Sequence, residues 1–404
     1  MDRYLIIVGG GILQIPAVNE AHKMGLKVVV LDKSLQAPAM TDADEKALIS
    51  TKDIDAAVNY AKEFAETHHV VGAYTQGTDV ELTVACIAKE LGLPGIDVQS
   101  ARDCNNKIEM RKRLAKYNIP GPRFDFADNY EQAQQKAEKL GYPLVVKSTD
   151  NSGSRGIRIL NNENMLKQAC EEALKYSFYD KRILLEEYLE GEEYSVDTIV
   201  YNGIVYPCGI SDREFDYSKE FAVQTGSVTP SRLPEKIQNE MYCLMSQAAK
   251  AMGINKGAFK GDLILCDNKP KILEITARLS GGFDSQYRKP YSFGINLIKA
   301  TIDIAIGNNL DFRDIVPKWI KYSKTTSPFP KAGKITKISG VDTIKNIKGV
   351  RNVFMLIKEG DIVEDYKHCV NRVGYIILSA DSYEELKQIE KQTIETLEII
   401  TNDE

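Results

Sequence analysis

Two short apolar runs, each carrying one carboxylate, most tightly constrain what this chain can fold into: residues 261–264, with Asp262, and 271–278, with Glu274 and Arg278. The polar stretch 266–270 between them holds Asp267, Asn268 and Pro270, so the pattern predicts a β-hairpin. Such a hairpin sets Asp262 and Glu274 side by side on neighbouring strands, among residues that are normally half buried. Two carboxylates in that setting repel, and they are costly to desolvate unless a positive group lies between them. Hard oxygen ligands on rigid strands suit Mg²⁺, which takes one or two protein carboxylates plus substrate phosphates. Arg278 adds a planar cation for a phosphoryl or carboxylate group. Solvated acids on a surface strand pair are the competing reading, and only the rest of the chain separates the two.

Three further segments bear on that choice. Residues 142–159 run from an apolar strand into Lys147, then through a small-residue loop into another strand. Gly153 and Gly156, with Ser152 and Ser154, let backbone N–H groups turn toward an anion without Cβ obstruction. The loop is not of the G-x-x-x-x-G-K-[ST] kind, and no helix follows it. Residues 183–197 form a strand ending in the polar hinge Glu186, Glu187, Tyr188 and Leu189, with a new strand after Gly191 that carries Glu193. Residues 104–114 form an amphipathic helix holding Lys107, closed by Pro120, Gly121 and Pro122.

These four segments, in this order, resemble the ATP-grasp superfamily over about residues 1–380. Each motif is weak alone, and four in sequence order are strong. The resemblance implies an α/β chain with an N-terminal Rossmann-like (pre-ATP-grasp) domain and linker helix over 1–118. It implies an ATP-grasp lid over 119–187, a catalytic subdomain over 188–325 and a C-terminal α+β subdomain over 326–404. By position it makes Lys107 and Lys147 the lysines on the ATP phosphates. Ser152, Gly153, Ser154, Arg155 and Gly156 become the loop closing over the β- and γ-phosphates. Glu186, Glu187 and Leu189 meet the adenine edge, and Glu193 holds the ribose hydroxyls. Asp262 and Glu274 become ligands of Mg²⁺ or Mn²⁺. Thr276 departs from the commonest pattern, which has asparagine there; its hydroxyl is a weaker ligand, or holds a metal-bound water.

The N-terminus opens with a buried strand, Gly9, Gly10 and Gly11, a helix from Ile15 to Met24 and a second strand ending at Asp32. This imitates a dinucleotide-binding fold, but Gln14 stands where the G-x-G-x-x-G fingerprint needs its last glycine. In ATP-grasp enzymes this loop faces the second substrate, which makes Gly10, Gly11 and Gln14 candidates for that contact. Gln76, Gly77, Thr78 and Asp79 follow the strand 70–75, where ligands gather in open α/β sheets, although Asp79 reads better as a helix N-cap. Past the hairpin, Ser280, Gly281 and Gly282 leave room for a substrate beside Arg278. Residues 294–306 read as a core helix. Arg213, within the charged stretch 213–219, the stretch 224–230, and Arg372 are further substrate-side candidates. For Arg372 the preferred reading is that it ties down the C-terminal subdomain.

Composition sets the outer bounds. The 404 residues exceed one compact core, so two or three packed domains are expected. A net charge of −5 supplies no global field for nucleic acid or anionic membrane. Seven scattered cysteines without C-x-x-C read as reduced thiols, and four histidines give no metal or triad pattern. No apolar run approaches the ~20 residues of a membrane helix, and the glycine-interrupted start does not read as a signal peptide, so a cytoplasmic protein is expected. The partners implied are a small-molecule carboxylate and an amine, with a second copy of the chain as the candidate macromolecule.

The chemistry implied is attack of a substrate carboxylate on the γ-phosphorus, then capture of the acyl phosphate by an amine. Lys147 and Arg278 would spread the transferring charge. Carboxylate–amine ligation is the favoured function. Purine-pathway ligation, of the phosphoribosylglycinamide synthetase or formate-using kind, is the runner-up. A non-catalytic ATP sensor is the alternative from another class, and an NAD oxidoreductase is the least supported.

Overall fold

The computed structural model describes residues 2–402 except 152, 217–222 and 368. Four parallel strands come first: β1 (Arg3–Val8), β2 (Lys27–Asp32), β3 (Glu45–Leu48) and β4 (His69–Tyr74), in the order β3-β2-β1-β4. Their continuous apolar runs, such as Leu5–Val8 and Val28–Leu31, are buried on both faces, as parallel strands sandwiched by helices must be.

The next body is a four-stranded antiparallel sheet made of β5 (Phe124–Ala127), β6 (Leu144–Ser148), β7 (Ile157–Leu160) and β8 (Ile183–Glu187), ordered β5-β8-β6-β7. Helices Tyr130–Leu140 and Leu166–Tyr176 cover one face through their own apolar cluster around Leu144, Val146 and Leu185. The helix expected over 104–114 is in fact two. Asn106 breaks it, accepting hydrogen bonds from the N–H groups of Ile108 and Glu109, so Lys107 opens the helix Lys107–Lys116.

An eight-stranded antiparallel sheet forms the centre. Its early strands are β9 (Glu192–Tyr201), β10 (Ile204–Asp216), β11 (Val223–Thr229), β12 (Gly257–Cys266), β13 (Lys269–Thr276) and β14 (Tyr322–Thr326). The C-terminal stretch adds β15 (Gly333–Ser339), β16 (Val350–Met355), β17 (Ile362–Val363), β18 (Gly374–Ala380) and β19 (Glu398–Asn402). The central order is β13-β12-β9-β10-β11-β14-β18-β16, so two C-terminal strands extend the central sheet, while β17-β15-β19 make a separate small one. Helix Glu235–Met252 packs on β9, β10, β12 and β13. Helix Leu297–Ala305 fills the space between β4 and β12 and joins the N-terminal sheet to the central one through a shared core that includes Leu5, Val28, Ile199 and Ile298. The core helix expected over 294–306 starts later, at Leu297 behind the capping side chain of Asn296, because Gly294 at φ +67° ends the preceding helix Lys289–Phe293.

Among the described residues no helix is long and apolar enough to cross a membrane. All seven cysteines are free thiols, with Cys104, Cys170, Cys208 and Cys266 buried.

Candidate active site

The hairpin forms with Asp262 directly opposite Glu274 in the β12–β13 register. Its turn is tighter than the five residues expected: Asp267 and Asn268, at φ +49° and +59°, close a two-residue connection. A bulge follows the Asp262–Glu274 pair, since Leu263 pairs with Ile272 and Leu273 is left over. The freed carbonyl of Leu273, with that of Ile272 at 2.8 Å, is taken by the Arg111 guanidinium.

Both acids meet cations. Glu274 lies 2.9 Å from Lys107 Nζ, and Asp262 is paired with Lys260 two residues back on the same strand. Burial alone would raise the Glu274 carboxyl, yet Lys107 and Lys260 outweigh it and hold the group well below the usual carboxylate range. Lys107 also donates to the carbonyl of Asn151 at 2.6 Å, linking the hairpin to the glycine loop.

Lys147 on β6 pairs with Glu186 on β8 at 2.7 Å, and Arg111 takes the other Glu186 oxygen. Glu186 is 1% exposed; despite that burial the two cations hold its carboxyl at about 2. Its side chain is thus spent on fixing Lys147, which leaves the hinge backbone to present an edge to a ligand. Glu193 lies 2.8 Å from Arg213, and the same guanidinium stands 3.3 Å from Asp262. Arg278 donates twice to Asp79, 199 residues away in sequence, and once to the carbonyl of Leu279 at 3.0 Å. Asp79 is therefore no N-cap: helix Glu81–Glu90 starts after Val80 without a side-chain cap, because the carboxylate is committed to Arg278.

These groups line one cleft of about 500 Å³. Lys107, Lys147, Gly153, Ser154, Arg155, Glu186, Glu187, Leu189 and Glu193 all reach it from the sequence-derived ATP set. Asp262, Glu274, Arg278, Ser280, Gly281, Gly282, Arg213 and Arg372 join them. Gly156 stands apart, turned with φ +71° against Ser148 and Tyr176, and Ser152 lies outside the described residues, as do 217–219 of the charged stretch. Gly10, Gly11 and Gln14 do not line the cleft. Gly10 N donates to Asp32 at 2.9 Å, and the Gln14 amide is 3% exposed and bonded to the Gln76 carbonyl. The strand end after β4 takes their place, through Gly77, Thr78 and Asp79. Arg372 serves both expected ends, donating to the Gln224 carbonyl at 2.5 Å while lining the cleft.

A cation fits the hairpin. The hydroxyl of Thr276 is buried without a hydrogen-bond partner, the Asp262 oxygen that faces Arg213 at 3.3 Å makes no hydrogen bond, and Thr276 sits two residues from Glu274, hence on the same face of β13. Two carboxylates with an unpartnered hydroxyl beside them are a hard donor set suited to Mg²⁺. No group of three or more histidine, cysteine or acidic residues that could hold a metal occurs among the described residues, so substrate oxygens or water would complete any coordination.

Two partners had no signal in the sequence: Lys260 and Cys369, whose N–H donates to the Gly153 carbonyl at 3.2 Å and so ties the C-terminal segment to the glycine loop. Each lies in a run that reads as ordinary strand, helix or loop.

Comparison with known proteins agrees with this architecture. Residues 104–282 match the ATP-grasp domain family, and residues 327–402 match the L-amino acid ligase C-terminal domain 2 family. The crystal structure of an L-amino acid ligase from Bacillus licheniformis superposes with a TM-score of 0.86 at 24% identity, covering 100% of this chain and 99% of that one. A phosphoribosylglycinamide synthetase from Anaerococcus prevotii gives 0.78 at 22% identity, covering 100% of both chains. Among curated relatives, the formate-dependent phosphoribosylglycinamide formyltransferase of Sulfurisphaera tokodaii is 26% identical over 280 residues, 68% of this chain and 69% of that one. The chain thus carries an ATP-grasp domain, followed by a stretch that matches the L-amino acid ligase C-terminal domain.

Proposed function

We propose that the protein is an ATP-dependent carboxylate–amine ligase that makes an acyl phosphate from a small carboxylate and passes the acyl group to an amine, releasing ADP and phosphate. One observation carries this reading: Asp262 and Glu274 stand in register across a hairpin, inside a cleft where Lys107, Lys147 and Arg278 converge from three different bodies. Nothing structural requires two opposed carboxylates and three cations to line one cleft. Phosphoryl transfer does, because its barrier is lowered mainly by positioning and by spreading charge.

Lys147, fixed by Glu186, and Lys107, fixed at the edge of the glycine loop, hold the phosphate chain of ATP. The backbone of Glu187 and Leu189 meets the adenine edge, and Glu193 the ribose. Asp262 and Glu274, aided by Thr276, would hold Mg²⁺ or Mn²⁺, which when bound neutralises phosphate charge as a Lewis acid. Arg278, oriented by Asp79, faces the transferring phosphoryl and the acyl oxygens. Gly153, Ser154 and Arg155 and the small residues 280–282 bound the cleft, and closure of the loop keeps water from the acyl phosphate. No side chain need act as a nucleophile. The 327–402 match and the full-length superposition on an amino acid ligase support L-amino acids as the substrate class for both halves of the reaction.

The test is Mg-ATP with a panel of L-amino acids, singly and in pairs, followed by phosphate release and product mass. Phosphate should appear together with an amide whose mass equals the two acids less water. ATP binding with neither phosphate nor amide across the panel would sink the ligase reading and leave a sensor.

A further inference from the structure

Phosphoryl-transfer sites are built around one divalent ion or two, and the hairpin bears on which this cleft accepts. In the β12–β13 register Lys260 stands directly opposite Thr276, as Asp262 stands opposite Glu274. Side chains two residues apart on a strand share a face, so these four form one block, with neighbours across the strands about 5 Å apart at Cβ. Lys260, Asp262 and Glu274 line the cleft, and the Thr276 hydroxyl lies buried beside them. One corner of the block is therefore a cation.

That cation is held in place. Lys260 is 8% exposed, and its ammonium lies 2.5 Å from one oxygen of Asp262. On its other side β9 sets Asp197 opposite it, a carboxylate 1% exposed. Lys260 thus sits between two acids, one along its own strand and one across, and leaving a partner at that depth is costly. Lys107 is placed differently. It comes from a helix and holds Glu274 at 2.9 Å and the Asn151 carbonyl at 2.6 Å, so it is able to exchange the acid for a phosphate. Two-metal sites keep their ions ~4 Å apart and need donors for both. This hairpin offers two carboxylates and one hydroxyl, and the second Asp262 oxygen already faces Arg213 at 3.3 Å. Among the described residues no group of three or more histidine, cysteine or acidic residues adds to that set. A second ion would be a further positive centre, beside Lys260, on the same two carboxylates.

Resting on the reading of the cleft as a metal–ATP site, we infer that the hairpin admits a single divalent ion and that Lys260 supplies the charge a second ion would bring. An ammonium is a compact point charge, so it draws the phosphate chain toward the hairpin without imposing a coordination geometry on it. Tied to Asp262, it stays when nucleotide and metal leave. The requirement for metal is then set by one ion, and the chain carries the other cation itself.

The ions are counted without turnover. Mn²⁺ is titrated against the full chain with a non-hydrolysable ATP analogue, free ion is read by electron paramagnetic resonance, and bound analogue is measured in parallel. The wild type should hold one Mn²⁺ per bound nucleotide. Lys260→Met keeps the length and removes the charge; it should weaken the analogue by about 10- to 100-fold at one bound ion, the loss of a charged contact. Adding Thr276→Asn to that variant supplies an amide oxygen opposite the vacated charge, and the pair should take up a second Mn²⁺ and regain affinity. Two ions per nucleotide in the wild type overturn the inference without any variant. So does a paired variant that melts cooperatively, as a folded chain does, and still holds one ion, since Lys260 would then not occupy the place of a second. A chain that binds no analogue at any Mn²⁺ concentration overturns the inference together with the metal–ATP reading beneath it. One ion bound per nucleotide, with the Lys260 dependence intact and no amide formed from any substrate, supports the inference and counts against the ligase reading alone.

Discussion

Two glycine loops follow strands in this chain, and they meet different fates. Gly9, Gly10 and Gly11 end β1, while Gly281 and Gly282 come soon after β13. The first loop is filled from behind. Asp32 and Ala37 close on Gly10, where an added Cβ would lie 2.9 Å from Ala37 Cβ, and Ala39 donates to its carbonyl at 2.8 Å. The second loop is open: Gly282 has φ +61° and nothing within 4 Å of where a Cβ would sit, and both its glycines line the cleft. A glycine pattern therefore specifies a backbone that can turn tightly, and the neighbouring chain decides whether the space becomes packing or a site.

The sharpest break between such regions comes from the hairpin itself. Glu274→Gln or Asp262→Asn should preserve folding and lower turnover by on the order of 100-fold or more, since an electrostatic contact to the transferring group is lost. Wild-type turnover in either variant would return the hairpin to an ordinary strand pair. Gly10→Ala should act in the opposite sense. It should destabilise the protein by about 2 kcal/mol through overpacking while leaving the KM for ATP unchanged, read by denaturant unfolding and steady-state kinetics. Gly282→Ala should cost only about 1 kcal/mol of left-handed strain, yet slow turnover because the methyl group enters the cleft. If Gly10→Ala impaired substrate binding and Gly282→Ala did not, the contrast would be reversed.

A smaller effect concerns pH. Glu81 is 2% exposed beneath Asp79, and burial, with the Asp79 charge, pushes its carboxyl up to about 7 from 4.5. The folded state then keeps a proton that the unfolded state has released. The stability tied to this group is complete below pH 4.5, declines as pH rises toward 7 and is flat above. Glu81→Gln should remove that slope from a stability–pH curve while leaving the acid-side losses of the other carboxylates in place. An unchanged slope would show that Glu81 titrates normally.

The features legible in the sequence were local ones. The hairpin is written in its alternation and in Asp267–Asn268, which tolerate positive φ, and strands β6 and β8 in the apolar runs around Lys147 and Glu186. What escaped depends on distant contacts. Nothing near Asp79 announces Arg278, and nothing near Arg111 announces Glu186, because buried ion pairs are chosen by tertiary approach. The extension of the central sheet by β18 and β16 was equally hidden: a strand's pattern tells which face is buried and not which neighbour it pairs with. Asn106 was missed for another reason, as a capping residue inside a helical pattern looks like any polar surface position.

The central claim is that a carboxylate attacks ATP in this cleft, and isotope transfer tests it most directly. With both carboxylate oxygens of the donor acid labelled with ¹⁸O, phosphate collected during full turnover should carry label, because the attacking oxygen leaves with the phosphoryl group when the amine displaces it. Arg278→Lys should lower the rate of that transfer with little change in ATP affinity, since a point charge does not reproduce the planar fork that Asp79 orients. Amide formation accompanied by unlabelled phosphate would contradict the acyl-phosphate route.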